Sequence, residues 1–288
     1  HHPKHRSARP GGILSQDITV TDGPAHVSRR NDKDRFILEQ LVTKDFKLRY
    51  RRSVLGVVWS VLNPLLMMII MSFVFSYFLK GSSVANYPLY LIVGNVTFSL
   101  MNESTSAGLR SIIDAAPLLK KVKVDRWVFP VQKVLSAAVN FAFSLIAVVI
   151  VMLFYRIAPT WHLVWMIPAL LLLMVFCMGV SMLIGALAVF FRDMIHLWSV
   201  LLTAWTYLTP IFWDLSLLTN SPDVPWLVLA VVKANPMYNY LDMMRCAIVY
   251  QASPGAIVIV LAVAWALVAL LAGVLVFRKV EHKFILYI

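Results

Sequence analysis

The chain has 288 residues, of which 60% are apolar and 14% are charged, and its formal net charge is +12. Soluble domains contain roughly 45–50% apolar and about 25% charged residues. Together with a mean hydropathy of +0.77, this excludes a secreted, cytosolic or nucleic-acid-binding protein. Most basic residues lie beside long apolar blocks, where they set the orientation of a membrane protein. The composition therefore indicates an integral membrane protein.

Two segments precede the first apolar block. Residues 1–33 are polar and interrupted by proline and glycine, which predicts a disordered cytoplasmic tail. Residues 34–52 predict a basic amphipathic helix in the membrane interface, although a helix packed on a partner is the alternative. Its apolar side chains fall on one half of a helical wheel: Ile37, Leu38, Leu41, Val42, Phe46 and Leu48.

Six apolar blocks follow, which predict an all-α domain of six transmembrane helices over residues 53–277. Between the fifth and sixth blocks, the apolar stretches are too short to cross a bilayer and predict external re-entrant helices. Residues 278–288 are predicted to be a second cytoplasmic tail. The six predicted spans are 54–79, 88–113, 128–155, 164–191, 195–213 and 256–277.

The distribution of lysine and arginine predicts the orientation. Basic residues crowd the N-terminal region and the connection between the second and third spans, and cytoplasmic loops carry such an excess. Both termini are therefore predicted to be cytoplasmic, in a multi-pass protein of the plasma membrane. The opposite side has few basic residues: Lys80, Arg156, Lys233 and Arg245.

The acidic residues argue against an enzyme. Of the 14 acids, only Glu103 lies well inside an apolar block, and such a charge is expected to face protein or water. The chain has no phosphate-binding G-x-x-x-x-G-K-[ST] motif and no set of carboxylates at catalytic spacing. We expect no cofactor, metal or ATP hydrolysis on this chain, so the energy for uphill transport would come from another subunit.

Several short stretches resemble the permease subunits of ABC-2 type polysaccharide exporters. The most specific covers residues 44–56 (KDFKLRYRRSVLG) and continues into residues 59–65 (WSVLNPL). The resemblance extends over residues 36–277, and Asp125 departs from it, because the family usually has proline before the basic residue. Shorter matches lie at residues 120–123 (KKVK), 129–130 (FP), 191–194 (FRDM), 207–212 (YLTPIF) and 235–237 (NPM).

The resemblance implies a half-transporter in a bacterial inner membrane. Two copies would form the conduit, and two copies of a cytoplasmic ATPase, which binds ATP and Mg, would drive it. The substrate would be an O-antigen, capsule, teichoic acid or related glycan on a polyprenyl-pyrophosphate or similar carrier lipid. Membrane lipids are further partners, and nucleic acid is not.

Four basic residues lie where the interface helix meets the first span, and they suit the oxygens of a lipid-linked pyrophosphate. The alternative is anchoring to anionic lipid, since topology alone requires basic residues here. These four residues are Lys47, Arg49, Arg51 and Arg52.

Aromatic side chains on the first and fifth spans are candidates for stacking on sugar rings in a conduit. Tryptophan and tyrosine also collect at both membrane interfaces, so a belt or core position is the alternative for each of them. The candidates are Trp59, Phe73, Tyr77, Trp205, Tyr207, Phe212 and Trp213.

The connection between the second and third spans is predicted to couple the chain to the ATPase. It begins with a short apolar stretch and ends with basic residues, which also suit a plain topology signal. The predicted coupling residues are Pro117, Leu118, Leu119, Lys120, Lys121, Lys123 and Arg126.

The sequence is also compatible with two other functions. An exporter of the same fold could carry a drug or a lipid, although the arginines and aromatics favour a glycan. A membrane-embedded glycosyl- or phosphoglycosyltransferase is the alternative of another class, and clustered carboxylates would have supported it.

Overall fold

The computed structural model describes residues 24–78 and 84–288, and all regular elements in these two stretches are helical. This confirms the predicted all-α class for the part of the chain described. The α-helices are α1 (Pro24–Tyr50), α2 (Val58–Phe78), α3 (Tyr87–Asp114), α4 (Ala116–Lys121), α5 (Val128–Phe154), α6 (Met166–Phe190), α7 (Met194–Leu208), α8 (Ser216–Thr219), α9 (Trp226–Ala234), α10 (Pro236–Arg245), α11 (Ala256–Val280) and α12 (Phe284–Tyr287). Short 3₁₀ or π turns cover Trp161–Trp165, Cys246–Tyr250 and Glu281–Lys283.

Four helical segments in these stretches are long and apolar enough to cross a membrane, rather than the six predicted. They are Val58–Phe75, Val128–Phe154, Trp161–Phe190 and Ala256–Tyr287. The other two predicted spans correspond to α3 and α7. Helix α3 has 28 residues but carries polar and charged side chains along its length.

Helix α7 is shorter than the predicted fifth span. It has 15 residues and ends at Leu208, which corresponds to roughly 22 Å at the α-helical rise per residue. The cause is Pro210, which lacks an amide hydrogen and pushes the preceding residue, Thr209, into an extended conformation with ψ 136°. Residues 209–213, predicted to be helical, therefore form an irregular segment, and their carbonyl groups accept no helical backbone hydrogen bonds.

The centre of the bundle is built from α3, α5, α6 and α11. Helices α6 and α11 approach to backbone contact because glycines face each other. A Cβ on Gly179 would lie 2.3 Å from the carbonyl oxygen of Ala269, and one on Gly273 would lie 2.1 Å from the carbonyl oxygen of Gly179. Small residues permit such close packing where lipid removes the hydrophobic driving force between helices.

Helix α1 begins at Pro24, ten residues before the boundary predicted at position 34, and it ends at Tyr50. Its N-terminal part is tied to the loop before α5: Arg30 donates two hydrogen bonds to the Asp125 carboxylate, at 3.1 and 2.6 Å. The rest of the predicted tail, residues 1–23, lies outside the described residues.

The bundle has two distinct ends. Helices α1, α4 and α12 gather at one of them, which we call the α1 end, and α8–α10 gather at the opposite end. The segment 278–288, predicted to be a tail, is ordered into helix here. Its Phe284 is fully buried, with its ring centroid 5.3 Å from that of Phe277.

Candidate functional site

A stripe of polar side chains runs along one face of α3. Its members recur every three or four residues, which places them on one side of a helix. Polar groups facing lipid would cost several kcal/mol each, so such a face belongs against protein, water or a polar ligand. We call this set the polar stripe, and it consists of Asn95, Ser99, Asn102, Glu103, Ser106 and Arg110.

Cavities flank the polar stripe on both sides. The α2 side holds a cavity of about 690 Å³, to which α2 contributes Ser60 and Asn63 and α5 contributes Asn140 and Ser144. The α7 side holds one of about 420 Å³, and its α7 lining includes His196, Ser199, Thr203 and Thr206. Asn102 and Ser106 line both cavities. The stripe is therefore the middle of a broad hydroxyl- and amide-lined surface.

Glu103, predicted from the sequence to be a buried charge, is only half-buried, and it is paired. Arg49 of α1 donates to its Oε1, and Asn140 Nδ2 donates to its Oε2 at 2.9 Å. The Asn140 Oδ1 accepts hydrogen bonds from Tyr50 Oη at 3.0 Å and from Ser60 Oγ at 2.8 Å. These bonds connect α1, α2, α3 and α5 through one network.

The four basic residues proposed to bind a pyrophosphate do not converge. Arg49 reaches the polar stripe, whereas Lys47 and Arg51 line a separate hollow of about 630 Å³ on α1. Arg52 lies in the turn after α1 and is exposed. The difference arises because α1 continues to Tyr50, so successive basic residues point to different sides of a helix.

The candidate aromatics fall into three groups. Trp59 lines the cavity beside the polar stripe, while Trp205 packs inward and donates to Asn235 Oδ1 at 2.7 Å. The other five lie where α2 and α7 end, at the opposite end of the bundle. There the ring of Phe212 stacks on that of Phe75 with centroids 5.7 Å apart, which joins α2 to the irregular segment after α7. The five are Phe73, Tyr77, Tyr207, Phe212 and Trp213.

The predicted coupling residues lie on and after α4 at the α1 end. Leu119 is buried against Phe129, whereas Pro117, Leu118, Lys120, Lys121 and Lys123 are exposed and Arg126 is half-buried. All of them except Pro117 and Leu118 line a cavity of about 960 Å³, whose lining also includes Arg29, Arg30 and Lys33 of α1. We call this cavity the basic basin.

Two acids modify the charge of the basic basin. The hydrogen bonds from Arg30 hold the pKa of Asp125 below its ordinary value. Burial raises the pKa of the neighbouring Asp34. Asp125, which departs from the family pattern, thus attaches α1 to the coupling loop.

Sequence reasoning missed a second polar site, at the end of α7. Arg245 of α10 is 3% exposed, and it donates to the Tyr90 carbonyl at 3.1 Å and to the Ile211 carbonyl at 3.0 Å. It also donates to the Pro210 carbonyl, and Tyr90 Oη donates to the Trp213 carbonyl at 2.8 Å. A signal existed: Pro210 leaves carbonyls without helical partners, and an arginine follows in the short amphipathic stretch of residues 237–250.

Metal ligands do not cluster in the part of the chain described: no three His, Cys, Asp or Glu side chains there are placed to share an ion.

Comparison with known proteins gives one consistent family. Residues 38–249 match the ABC-2 type transporter family. The chain is 30% identical over 250 residues to an O-antigen export system permease protein, RfbA, of Myxococcus xanthus, and the alignment covers 87% of this chain and 94% of that protein. A protein of the same name from Klebsiella pneumoniae is 32% identical over 178 residues, which cover 62% of this chain and 68% of the relative. The chain therefore belongs to the ABC-2 type transporter family.

Proposed function

We propose that this chain is the permease subunit of an ATP-driven exporter of a lipid-linked polysaccharide in a bacterial plasma membrane. The similarity to O-antigen export permeases, extending over 94% of one of them, carries the proposal. The polar stripe supports it independently, because a glycan needs hydrogen-bonding partners within the bilayer, and an apolar drug or lipid does not.

The transport path would run along the polar stripe between α2 and α7. Amide and hydroxyl groups there can exchange hydrogen bonds with sugar hydroxyls, and Trp59 offers a ring face to the apolar side of a sugar. The aromatic group at the opposite end would take the polymer as it leaves. Because this surface is open on one side of the chain, a second copy would complete the conduit, which supports a homodimer.

Six crossings remain our proposal for the topology. Helix α3 returns the chain from the opposite end to the α1 end, and α7 with residues 209–213 takes it back again. Helices α9 and α10 are too short to cross, which suits a re-entrant pair. The basic residues at the α1 end would place that end, and both termini, in the cytoplasm.

Energy would come from two copies of a separate ATPase that binds ATP and Mg. The α4 segment and the basic basin supply an exposed contact surface at the α1 end, directly connected to α3 and α5. Movement of the ATPase would therefore reach the polar stripe through the two helices that flank α4.

Charge reversal of α4 tests this contact. Replacing Lys120, Lys121 and Lys123 with glutamate should reduce co-purification of the ATPase by about tenfold or more, because the exposed surface changes by six charge units. The matched control reverses three exposed basic residues elsewhere at the same end: Arg278, Lys279 and Lys283. If both triple variants lost ATPase co-purification equally, the cause would be a general charge effect, which would contradict the assignment of α4 as the ATPase contact.

Depletion of the chain in its native host tests the function itself. Lipid-linked polysaccharide should accumulate on the cytoplasmic side of the plasma membrane, where extraction and glycan analysis would count it. Normal polymer synthesis without accumulation would contradict polysaccharide export and favour the export of a drug or lipid by the same fold.

A further inference from the structure

We propose that Arg49, Tyr50, Glu103 and Asn140 form a gate that the phosphate or pyrophosphate group of a carrier lipid opens by replacing the Glu103 carboxylate on Arg49. This inference rests on the proposed export of a lipid-linked glycan, and it assigns the step at which the carrier is recognised. We call the four residues the gate cluster.

The gate cluster stands between two cavities. One is the cavity of about 690 Å³ beside the polar stripe, and the other is a cavity of about 410 Å³ beneath α1, lined by residues of α1, α3 and α5. The same four residues line both cavities, so their side chains form the partition between them. The direct route from the cavity beneath α1 to the polar stripe therefore passes between these side chains.

The partition is held by the Glu103 carboxylate. Its two oxygens are taken by donors from two different elements, Arg49 of α1 and Asn140 of α5. Charge-assisted bonds of this kind are stronger than bonds between neutral groups. Since the Arg49 side chain is 42% exposed and that of Glu103 is 25% exposed, an anion arriving from the α1 side can reach both.

A phosphate group is the ligand that matches this set of donors. The guanidinium of Arg49 can bond two phosphate oxygens at once, and Asn140 Nδ2 and Tyr50 Oη supply neutral donors beside it. A pyrophosphate carries more charge than a carboxylate, so it competes well for the arginine. Glu103 then occupies the place of the ligand while the carrier is absent and keeps the partition closed.

A static brace is the competing interpretation, in which the pair only fastens α1 to α3. The two interpretations predict different effects of Glu103→Gln on anion binding. If Glu103 competes with the ligand, its removal strengthens anion binding. If the pair is a brace, its removal loosens Arg49 and weakens or does not change binding.

Binding of radiolabelled farnesyl pyrophosphate to the full chain in phosphatidylcholine nanodiscs tests the proposal. Glu103→Gln is expected to lower the Kd roughly tenfold, and Arg49→Gln to raise it by a similar factor, since each change alters one charge-assisted contact. The variant that carries both substitutions should have the same Kd as Arg49→Gln, because Glu103 affects binding only through Arg49. Farnesol, which lacks the charge, should not compete.

Asp45→Asn provides the matched control. Asp45 also joins α1 to α5, through Lys133 at 2.8 Å, and lines the smaller cavity without reaching the polar stripe. Asp45→Asn should strengthen binding much less than Glu103→Gln. If Asp45→Asn strengthened pyrophosphate binding as much as Glu103→Gln, the effect would be a general change of the electrostatic field, and the gate would be overturned. Unchanged or weaker binding in Glu103→Gln would also overturn it.

Competition separates the carrier group from other anions. Farnesyl pyrophosphate and inorganic pyrophosphate should compete at much lower concentrations than phosphatidylglycerol vesicles, and equal competition by phosphatidylglycerol would overturn the assignment to pyrophosphate. The binding assay involves no export. If the binding results contradict our expectation, only the gate is ruled out. If lipid-linked glycan does not accumulate when the chain is depleted, the proposed function is ruled out.

Discussion

Replacing Gly179 with alanine is expected to destabilise the bundle by at least about 3 kcal/mol, the upper part of the range for overpacking a core. The added Cβ would lie 2.3 Å from both the carbonyl carbon and the carbonyl oxygen of Ala269, and 2.4 Å from the nitrogen of Leu270. These are backbone atoms of α11, so no side-chain rotation relieves the clash. Helices α6 and α11 would have to separate.

Thiol labelling during heating measures this effect. Cys177 and Cys246 are both buried and unbonded, so a thiol-reactive dye reports unfolding of the detergent-solubilised protein. Labelling of Cys177, two residues from the substitution, should begin at a clearly lower temperature. Gly255→Ala is the control, since no atom lies within 4 Å of its Cβ position and it should melt like the parent protein. An unchanged transition for Gly179→Ala would contradict the close helix contact.

The second large effect is expected from Arg245→Met, at about 3–5 kcal/mol of destabilisation. The substitution removes every donor that Arg245 supplies to the carbonyls of Tyr90, Pro210 and Ile211. Buried carbonyls without donors are costly, because they leave their hydrogen bonds to water without replacement. Arg245→Lys should be intermediate, since an ammonium lacks the fork that serves several acceptors.

Local labelling distinguishes this site from global unfolding. In Arg245→Met, the adjacent Cys246 should react with the dye at a lower temperature than Cys177, because the end of α7 and α10 separate first. Gly94→Ala should act in the same direction, since its Cβ would lie 2.1 Å from Arg245 Nη2. Lys233→Met, at an exposed cation of α9, is the control. Simultaneous labelling of both cysteines would refute a local role for Arg245.

Much of the helical architecture follows from hydrophobic blocks alone. The third predicted span, 128–155, corresponds to Val128–Phe154, because its apolar block ends where polar residues begin. The apolar pattern predicts that the fifth span ends at residue 213, five residues beyond the observed end of α7 at Leu208. An apolar pattern continues to Trp213, and only the conformational restriction imposed by Pro210 separates helix from irregular backbone there.

The candidate site was less predictable, because its contacts join residues far apart in the chain. The spacing of the polar stripe on α3 is visible in the sequence, and Glu103 was singled out by its charge. Its partner Arg49 lies 54 positions away, and nothing local distinguishes Arg49 from Arg51 or Arg52. The packing of α1 against α5 decides which arginine reaches the stripe, and that depends on tertiary contacts such as Lys133–Asp45.

Export of a lipid-linked glycan is tested most directly in inside-out membrane vesicles that contain the chain and its ATPase. The measurement is the fraction of glycan that an added glycosidase cannot digest. Our account predicts that ATP increases the protected fraction, and that Arg49→Gln abolishes the increase while the complex stays assembled. Glycan that remains fully digestible with ATP, in vesicles where the parent complex is assembled and hydrolyses ATP, would contradict the proposed function.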